Sequence, residues 1–201
     1  MASPEQVRGR KRARLVVIAL ACAAVGALVF GWSRLRFPPD TTPEGAYLRI
    51  AASITKGDER VVFAYLEDEA QHAAFTIRDY RKRAKDRTAA SFPEPERGRL
   101  LAEWAPYADA PDGADVWVLM SKERGWVAKL RADLSAIGSV EVAGDRATVQ
   151  TARGTRYGMR KRTNGMWGLT LFTADLLAES ERAARDWEVV DRAASDYERG
   201  R

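Results

Sequence analysis

The longest apolar stretch of the chain lies near its N-terminus. Residues 15–32 contain no charged side chain, and as a helix they would span roughly 27 Å, close to the hydrocarbon thickness of a bilayer. We therefore predict a transmembrane helix over residues 15–36. Five Lys or Arg residues precede the run and two follow it up to residue 36. The positive-inside bias then predicts a cytoplasmic basic tail over 1–14 and an extracytoplasmic C-terminal part.

Two other kinds of N-terminal segment compete with this signal-anchor. A cleaved signal peptide has a shorter apolar core with a small-x-small site after it, whereas the spacing of Ala21 and Ala23 lies inside the run. A lipoprotein would be modified at Cys22, but Leu20 stands one place too late for that pattern. Cys22 is also the sole cysteine, so the sequence beyond it has no disulfide and no cysteine-based metal site.

The pattern beyond a short linker at residues 37–41 predicts one extracytoplasmic domain over 42–201, which opens with helices. Thr42-Pro43-Glu44 combines an N-cap residue, a proline suited to the first helical position and a first-turn carboxylate. Gly57 is a typical helix end. Apolar residues three and four positions apart predict further helices over 67–87, from 96 to just before Pro106, and over 116–137.

The periodicity changes to alternation near Gly138. Four short runs with period two, at residues 140–142, 147–151, 155–159 and 166–172, are separated by Gly144-Asp145, Gly154 and Asn164-Gly165. Such turn residues between alternating runs predict a four-stranded antiparallel meander. Thr173 is then expected to cap a long helix that ends near Tyr197. Helices followed by an antiparallel sheet define an α+β fold class.

The helix start at 42–44, the break at 57–58 before residues 63–66, and the late hairpins at 144–149 and 164–169 resemble the NTF2-like superfamily. The resemblance implies a curved sheet that wraps around helices and leaves a cone-shaped pocket. That superfamily includes enzymes, binding modules and assembly domains of secretion systems, so the resemblance does not choose among functions. In such a cone the inner face of the sheet would line a low-polarity ligand pocket, with Tyr157, Met159, Trp167, Leu169 and Leu171.

The net charge of +5 is unevenly distributed. Residues 1–36 hold seven basic residues and one acidic residue, which leaves 26 basic and 27 acidic residues for the rest of the chain. A nucleic-acid-binding domain carries its basic residues on the domain itself, because affinity comes from neutralising phosphates. We therefore expect no nucleic-acid partner. The preference for Arg over Lys and the single Asn, Asn164, are typical of a GC-rich bacterial genome.

One group of residues has the composition of an acid/base site. His72 is the only histidine, and Asp68 and Glu69 precede it by four and three residues, so all three can share one helix face. In a pocket such a dyad could move protons. The alternative is an exposed ion pair at helical spacing. No second Glu-x-x-His segment, phosphate-binding loop or dinucleotide motif is present, and we expect neither a metal nor a cofactor.

A second group is basic. Arg156, Arg160 and Arg162 would share one strand face within a run that contains no acid. The functional interpretation is a contact with an anion or an anionic lipid. The alternative is a solvated surface.

Two hypotheses about function follow. The first is a single-pass membrane protein whose periplasmic α+β domain is a non-catalytic binding or assembly module for another envelope protein. The second is a small NTF2-like enzyme that uses His72 with Asp68 or Glu69. The enzyme requires His72 in a concave, desolvated site, whereas the module predicts His72 on the solvent side. The sequence identifies no small-molecule ligand.

Overall fold

The computed structural model describes residues 38–200, and its elements belong to one compact unit, Asp40–Arg201. Six helices precede the sheet: α1 (Pro43–Lys56), α2 (Glu59–Ala64), α3 (Asp68–Ser91), α4 (Glu96–Ala108), α5 (Gly113–Glu123) and α6 (Trp126–Asp133). Four strands follow, β1 (Ile137–Ala143), β2 (Arg146–Thr151), β3 (Arg156–Lys161) and β4 (Trp167–Leu169), and then the long helix α7 (Thr173–Arg199). The predicted α+β order is confirmed.

The predicted signals at both ends of α1 are confirmed. The Thr42 hydroxyl oxygen accepts a hydrogen bond from the Gly45 backbone N–H at 3.1 Å, and Pro43 occupies the first turn. Gly57 ends the helix at φ 76°, a left-handed conformation that glycine adopts without strain. Local sequence chemistry therefore sets both ends of this helix.

The prediction of one helix over 116–137 was wrong. Helix α5 ends before Gly125, which lies at φ 66°, and α6 begins at Trp126. The break lets Trp117 and Trp126 pack face to face, with ring centroids 5.4 Å apart. Ile137 belongs to β1 instead. A single straight helix would carry these two rings apart.

Two helix ends also differ from the sequence expectation. Helix α4 continues through Pro106 to Ala108, where the Asp109 N–H donates to the Ala105 carbonyl at 2.9 Å. Proline lacks an N–H and its ring crowds the carbonyl four residues earlier, but it leaves the donors of the following residues intact, so the last turn can still close after it. At α7 the N-cap position is Phe172, and the Thr173 hydroxyl bonds to Glu67 rather than capping the helix.

The sheet is the predicted meander, with strand order β1-β2-β3-β4 and antiparallel pairing throughout. Its inner face packs on the helices: Tyr157 of β3 lies 5.6 Å from Tyr47 of α1 between ring centroids. Its outer face carries polar residues. At the β4 edge, Leu169 pairs with the segment that leads into α3, through a Leu169 N–H bond to Tyr65 O at 2.7 Å and a Glu67 N–H bond to Leu169 O at 3.2 Å.

Helices α3 and α7 run side by side in the same direction. The residue before α3 contacts the first residue of α7, and Phe92 after α3 meets Tyr197 near the end of α7 at 5.1 Å between ring centroids. Between these ends the buried Arg81 bonds to Asp186 at 2.6 Å and to Glu179 at 3.2 Å. These contacts join two helices separated by about a hundred residues of sequence.

Within residues 38–200, no helix is both long enough and apolar enough to cross a bilayer. The predicted transmembrane helix at 15–36, the basic tail and the start of the linker lie outside the described residues.

Candidate functional site

Parts of the two charged candidate groups meet at one place, where Arg160 and Arg162 contact Asp68 and Glu69 near the first turn of α3. Arg162 is central to this contact. Its Nε donates to Asp68 at 2.7 Å, one terminal nitrogen donates to the Ala64 carbonyl at 2.6 Å, and the other donates to Gln71 at 2.9 Å. The Arg162 side chain is only 11% exposed. Arg162 therefore fastens the hairpin to the helix.

The second oxygen of Asp68 is bound as well. It accepts hydrogen bonds from the backbone N–H of Thr163 at 3.1 Å and from the hydroxyl of Thr163 at 3.2 Å. Burial alone would raise the pKa of Asp68, but the hydrogen bonds from Arg162 and Thr163 outweigh burial and hold this pKa below its ordinary value. Asp68 is a charged structural acceptor.

Arg160 lies between two carboxylates. One terminal nitrogen is 3.1 Å from Glu69 Oε1 and 3.4 Å from Glu67 Oε2. Arg156 stands apart on the outer face of the sheet, 61% exposed and 3.6 Å from Glu141. Thus two of the three arginines predicted to contact an anion already contact acids of the α3 N-terminal region, and the three do not form one open cationic surface.

His72 lies on the exposed side of α3. Its imidazole makes no hydrogen bond and no ion pair with any residue in the described range 38–200. The two carboxylates that could have formed a dyad with it, Asp68 and Glu69, contact Arg162 and Arg160 instead. Helical spacing permitted a dyad, but residues about ninety positions away in sequence decided where the carboxylates bind.

Four of the five residues predicted to line an apolar pocket are packed in the core. Tyr157, Met159, Trp167 and Leu169 are 2–4% exposed. Leu171 is 46% exposed and was wrongly placed on the inner face, because β4 ends at Leu169 and the chain turns there into α7.

The hydroxyl of Tyr157 is buried without a hydrogen-bond partner among the described residues. Burial, with smaller contributions from Tyr47 and Asp133, raises the pKa of Tyr157 to about 12. The phenol is therefore neutral at physiological pH, and its hydroxyl makes no hydrogen bond with the described residues.

Glu67 is the site residue that sequence analysis missed. It is 4% exposed, and its Oε1 accepts a hydrogen bond from the Thr173 hydroxyl. Its burial depends on Gly168: a Cβ at that position would come within 2.7 Å of the Glu67 backbone. In sequence, Glu67 is the first of three acids around a helix start, a pattern typical of an exposed first turn. It is buried by elements far away in sequence: β4 at Gly168 and the start of α7 at Thr173.

A polar pocket of about 330 Å³ opens beside Glu67 on the outer face of the sheet. Its charged lining residues are Glu67, Glu69, Arg146 and Arg160, and Thr148, Gly158 and Thr170 also line it. Both signs of charge are present in this small volume.

A second depression, of about 600 Å³, lies between α4 and α5. Its lining is mainly apolar and comprises Ala102, Ala105, Pro106, Ala110, Pro111, Val118 and Leu119. The two acids at its rim are each bound to a cation: Asp109 to Lys85 at 2.5 Å, and Asp115 to Arg60. We call this depression the α4–α5 groove.

No group of three or more His, Cys, Asp or Glu residues that could hold a metal ion occurs in the part of the chain that the structure describes. Comparison with protein-family models, curated proteins and solved structures finds no match to this chain. The resemblance to the NTF2-like superfamily therefore stays a prediction.

Proposed function

We propose that this chain is a single-pass membrane-anchored protein whose extracytoplasmic α+β domain is a non-catalytic module that binds or assembles with another envelope protein. The observation that carries the proposal is the environment of the only histidine. His72 is exposed, while Asp68 and Glu69 form ion pairs with Arg162 and Arg160, respectively. An acid/base site needs an imidazole that is held in position and partly desolvated. The imidazole of His72 is exposed, and neither Asp68 nor Glu69 positions it.

The α4–α5 groove supports the binding half of the proposal. Apart from the buried Ala110, its aliphatic side chains are only partly covered. Its rim charges are neutralised by Lys85 and Arg60, which lowers the cost of placing an apolar partner surface there. A concave patch of this kind is a typical protein contact site. The apolar run at 15–32 and its basic flank support the anchor and its orientation.

The anchor is tested first. The intact mass of the protein from the membrane fraction is measured, and reporters are fused at Arg10 and near Arg201. We expect an uncleaved chain with a cytoplasmic N-terminus and an external C-terminus. A mass that lacks the first twenty or more residues, or a lipid on Cys22, would contradict the anchor.

The binding module is tested with a photo-crosslinking residue at Ala102, an exposed position in the groove. The control is the same residue at Ala178, an exposed alanine on α7. We expect a discrete adduct with an envelope protein from position 102 only, and purified partner should reform it with the purified full-length chain. Ala102→Glu should abolish reconstituted binding and Ala178→Glu should not.

The enzyme hypothesis predicts the reverse dependence. If His72→Ala abolished the cellular function while Ala102→Glu left both function and reconstituted binding intact, the proposal of a non-catalytic module would be wrong. Both positions are exposed, so neither substitution should disturb the core, and circular dichroism checks that the fold is kept.

A further inference from the structure

The polar pocket on the outer face of the sheet contains a buried carboxylate that is only partly satisfied. Glu67 Oε1 accepts from Thr173, but Oε2 has no hydrogen-bond partner among the described residues. The nearest cation, Arg160, is 3.4 Å from Oε2 and closer to Glu69. A buried carboxylate oxygen without a donor is costly. Oε2 is also closed to solvent, so Glu67 contributes negative charge to the pocket without offering this oxygen as a direct acceptor.

A second cation, Arg146, also lines this pocket. Arg146 of β2 lies directly across from Arg160 of β3 in the strand register. Like charges in that arrangement repel each other. Arg160 is offset by two carboxylates, whereas the Arg146 side chain makes no ion pair or hydrogen bond within residues 38–200. An anionic group bound next to Arg146 would relieve the repulsion.

The space between these groups is kept open by Gly158. This residue faces Thr148 across the strands, and its carbonyl accepts a hydrogen bond from the Thr170 hydroxyl at 3.0 Å. A Cβ at Gly158 would lie 2.8 Å from that hydroxyl oxygen. The resulting volume, about 330 Å³, is at the lower end of the range for small-molecule sites.

From these contacts we infer that the pocket binds a small zwitterion of the amino-acid class. Its carboxylate pairs with Arg146, and its ammonium group donates to the exposed carboxylate of Glu69, beside the buried negative charge of Glu67. The inference does not depend on the proposed protein-binding function, because the α4–α5 groove is formed by other elements. It also differs from the expected anion contact, since Arg156 and Arg162 take no part and a carboxylate supplies half of the recognition.

The test uses three matched probes with the purified full-length protein in detergent: L-alanine, propionate, which lacks the ammonium group, and ethylammonium, which lacks the carboxylate. Binding is followed by NMR chemical-shift changes of the pocket residues. We expect saturable binding of L-alanine and at least about tenfold weaker binding of the other two, because each loses one charge-assisted contact.

Two variants and a control locate the site. Arg146→Ala and Glu67→Gln should each weaken L-alanine binding by about tenfold or more, while Arg182→Ala, at an exposed arginine on α7, should leave it unchanged. Arg146 is exposed, so its variant stays folded even if Glu67→Gln does not. Absence of saturable L-alanine binding, equal binding of propionate, or full binding by Arg146→Ala would each overturn the inference.

Discussion

Gly168 is the residue on which the junction between the sheet and α3 depends most directly. A Cβ built on Gly168 would lie 2.7 Å from the Cα and N of Glu67 and 2.8 Å from the Leu66 carbonyl oxygen. All three neighbours are backbone atoms, so no side chain can rotate away. In Gly168→Ala the segment 65–67 must move away from β4.

The size of the effect follows from these contacts. One extra methyl in a packed site costs about 1–3 kcal/mol. Displacing the segment also weakens its two hydrogen bonds to Leu169, each of which contributes about 0.5–1.5 kcal/mol. The free energy of unfolding should therefore fall by about 2–6 kcal/mol. For a domain of this size, that corresponds to a decrease in Tm of roughly 4–24 °C.

The assay is thermal unfolding of the full-length protein in detergent, followed by near-ultraviolet circular dichroism. Gly98→Ala is the matched control: it adds the same methyl inside α4, where the nearest atom is the end of the flexible Glu94 side chain at 3.2 Å. Alanine favours helix over glycine by up to about 1 kcal/mol, so this variant should be as stable as the parent or more stable. If Gly168→Ala unfolded at the same temperature as the parent, the close approach of β4 to Glu67 would not be a constraint on the fold.

Three further predictions concern single side chains. Arg162→Ala removes three hydrogen bonds from a nearly buried guanidinium, so it should lower the free energy of unfolding, measured by urea titration, by about 2–4 kcal/mol. The control is Lys82→Ala, at an ion pair in which Lys82 is 54% exposed. It should change the same free energy by less than about 0.5 kcal/mol. Because the pKa of Asp68 is lowered in the folded state, its contribution to stability is complete above its unfolded pKa of about 4 and is lost as the pH falls through the folded value. Asp68→Asn should therefore unfold with a weaker dependence on acid pH than the parent, and identical acid profiles would contradict the role of this ion pair. Tyr157→Phe removes a buried hydroxyl that has no partner in the described chain, so it should leave the Tm unchanged or raise it at pH 7, and a clear loss of stability would reveal a hydrogen bond that the structure does not contain.

Local chemistry in the sequence was sufficient for the order of the elements. Thr42 and Gly57 mark the two ends of α1, and the turns at Gly144-Asp145 and Asn164-Gly165 connect strands of the antiparallel meander. These features depend on residues a few positions apart, which is the range over which capping and turn preferences act. The prediction of one helix over 116–137 failed for a local reason as well. The apolar pattern of α5 and α6 predicts one continuous helix, although Gly125 in a left-handed conformation divides it.

The candidate site was predictable only in its parts. The sequence separated Asp68 and Glu69 from Arg160 and Arg162 by about ninety residues, and each group taken alone indicated a different chemistry: an acid/base dyad or an anion contact. In the folded chain the groups neutralise each other. Coulomb attraction depends on distance in space, which spacing along one helix or one strand does not provide.

By itself, then, the sequence determined the α+β class, both ends of α1, the four-stranded meander, and the concentration of positive charge around the apolar run at 15–32. Tertiary structure alone decided that α3 and α7 run in the same direction, that Glu67 is buried beneath Gly168, and that Leu171 faces solvent. The physical reason is the same in each case. These outcomes depend on which elements pack against each other and which charges come close in the folded chain. The periodicity of a single helix or strand does not encode contacts between distant elements.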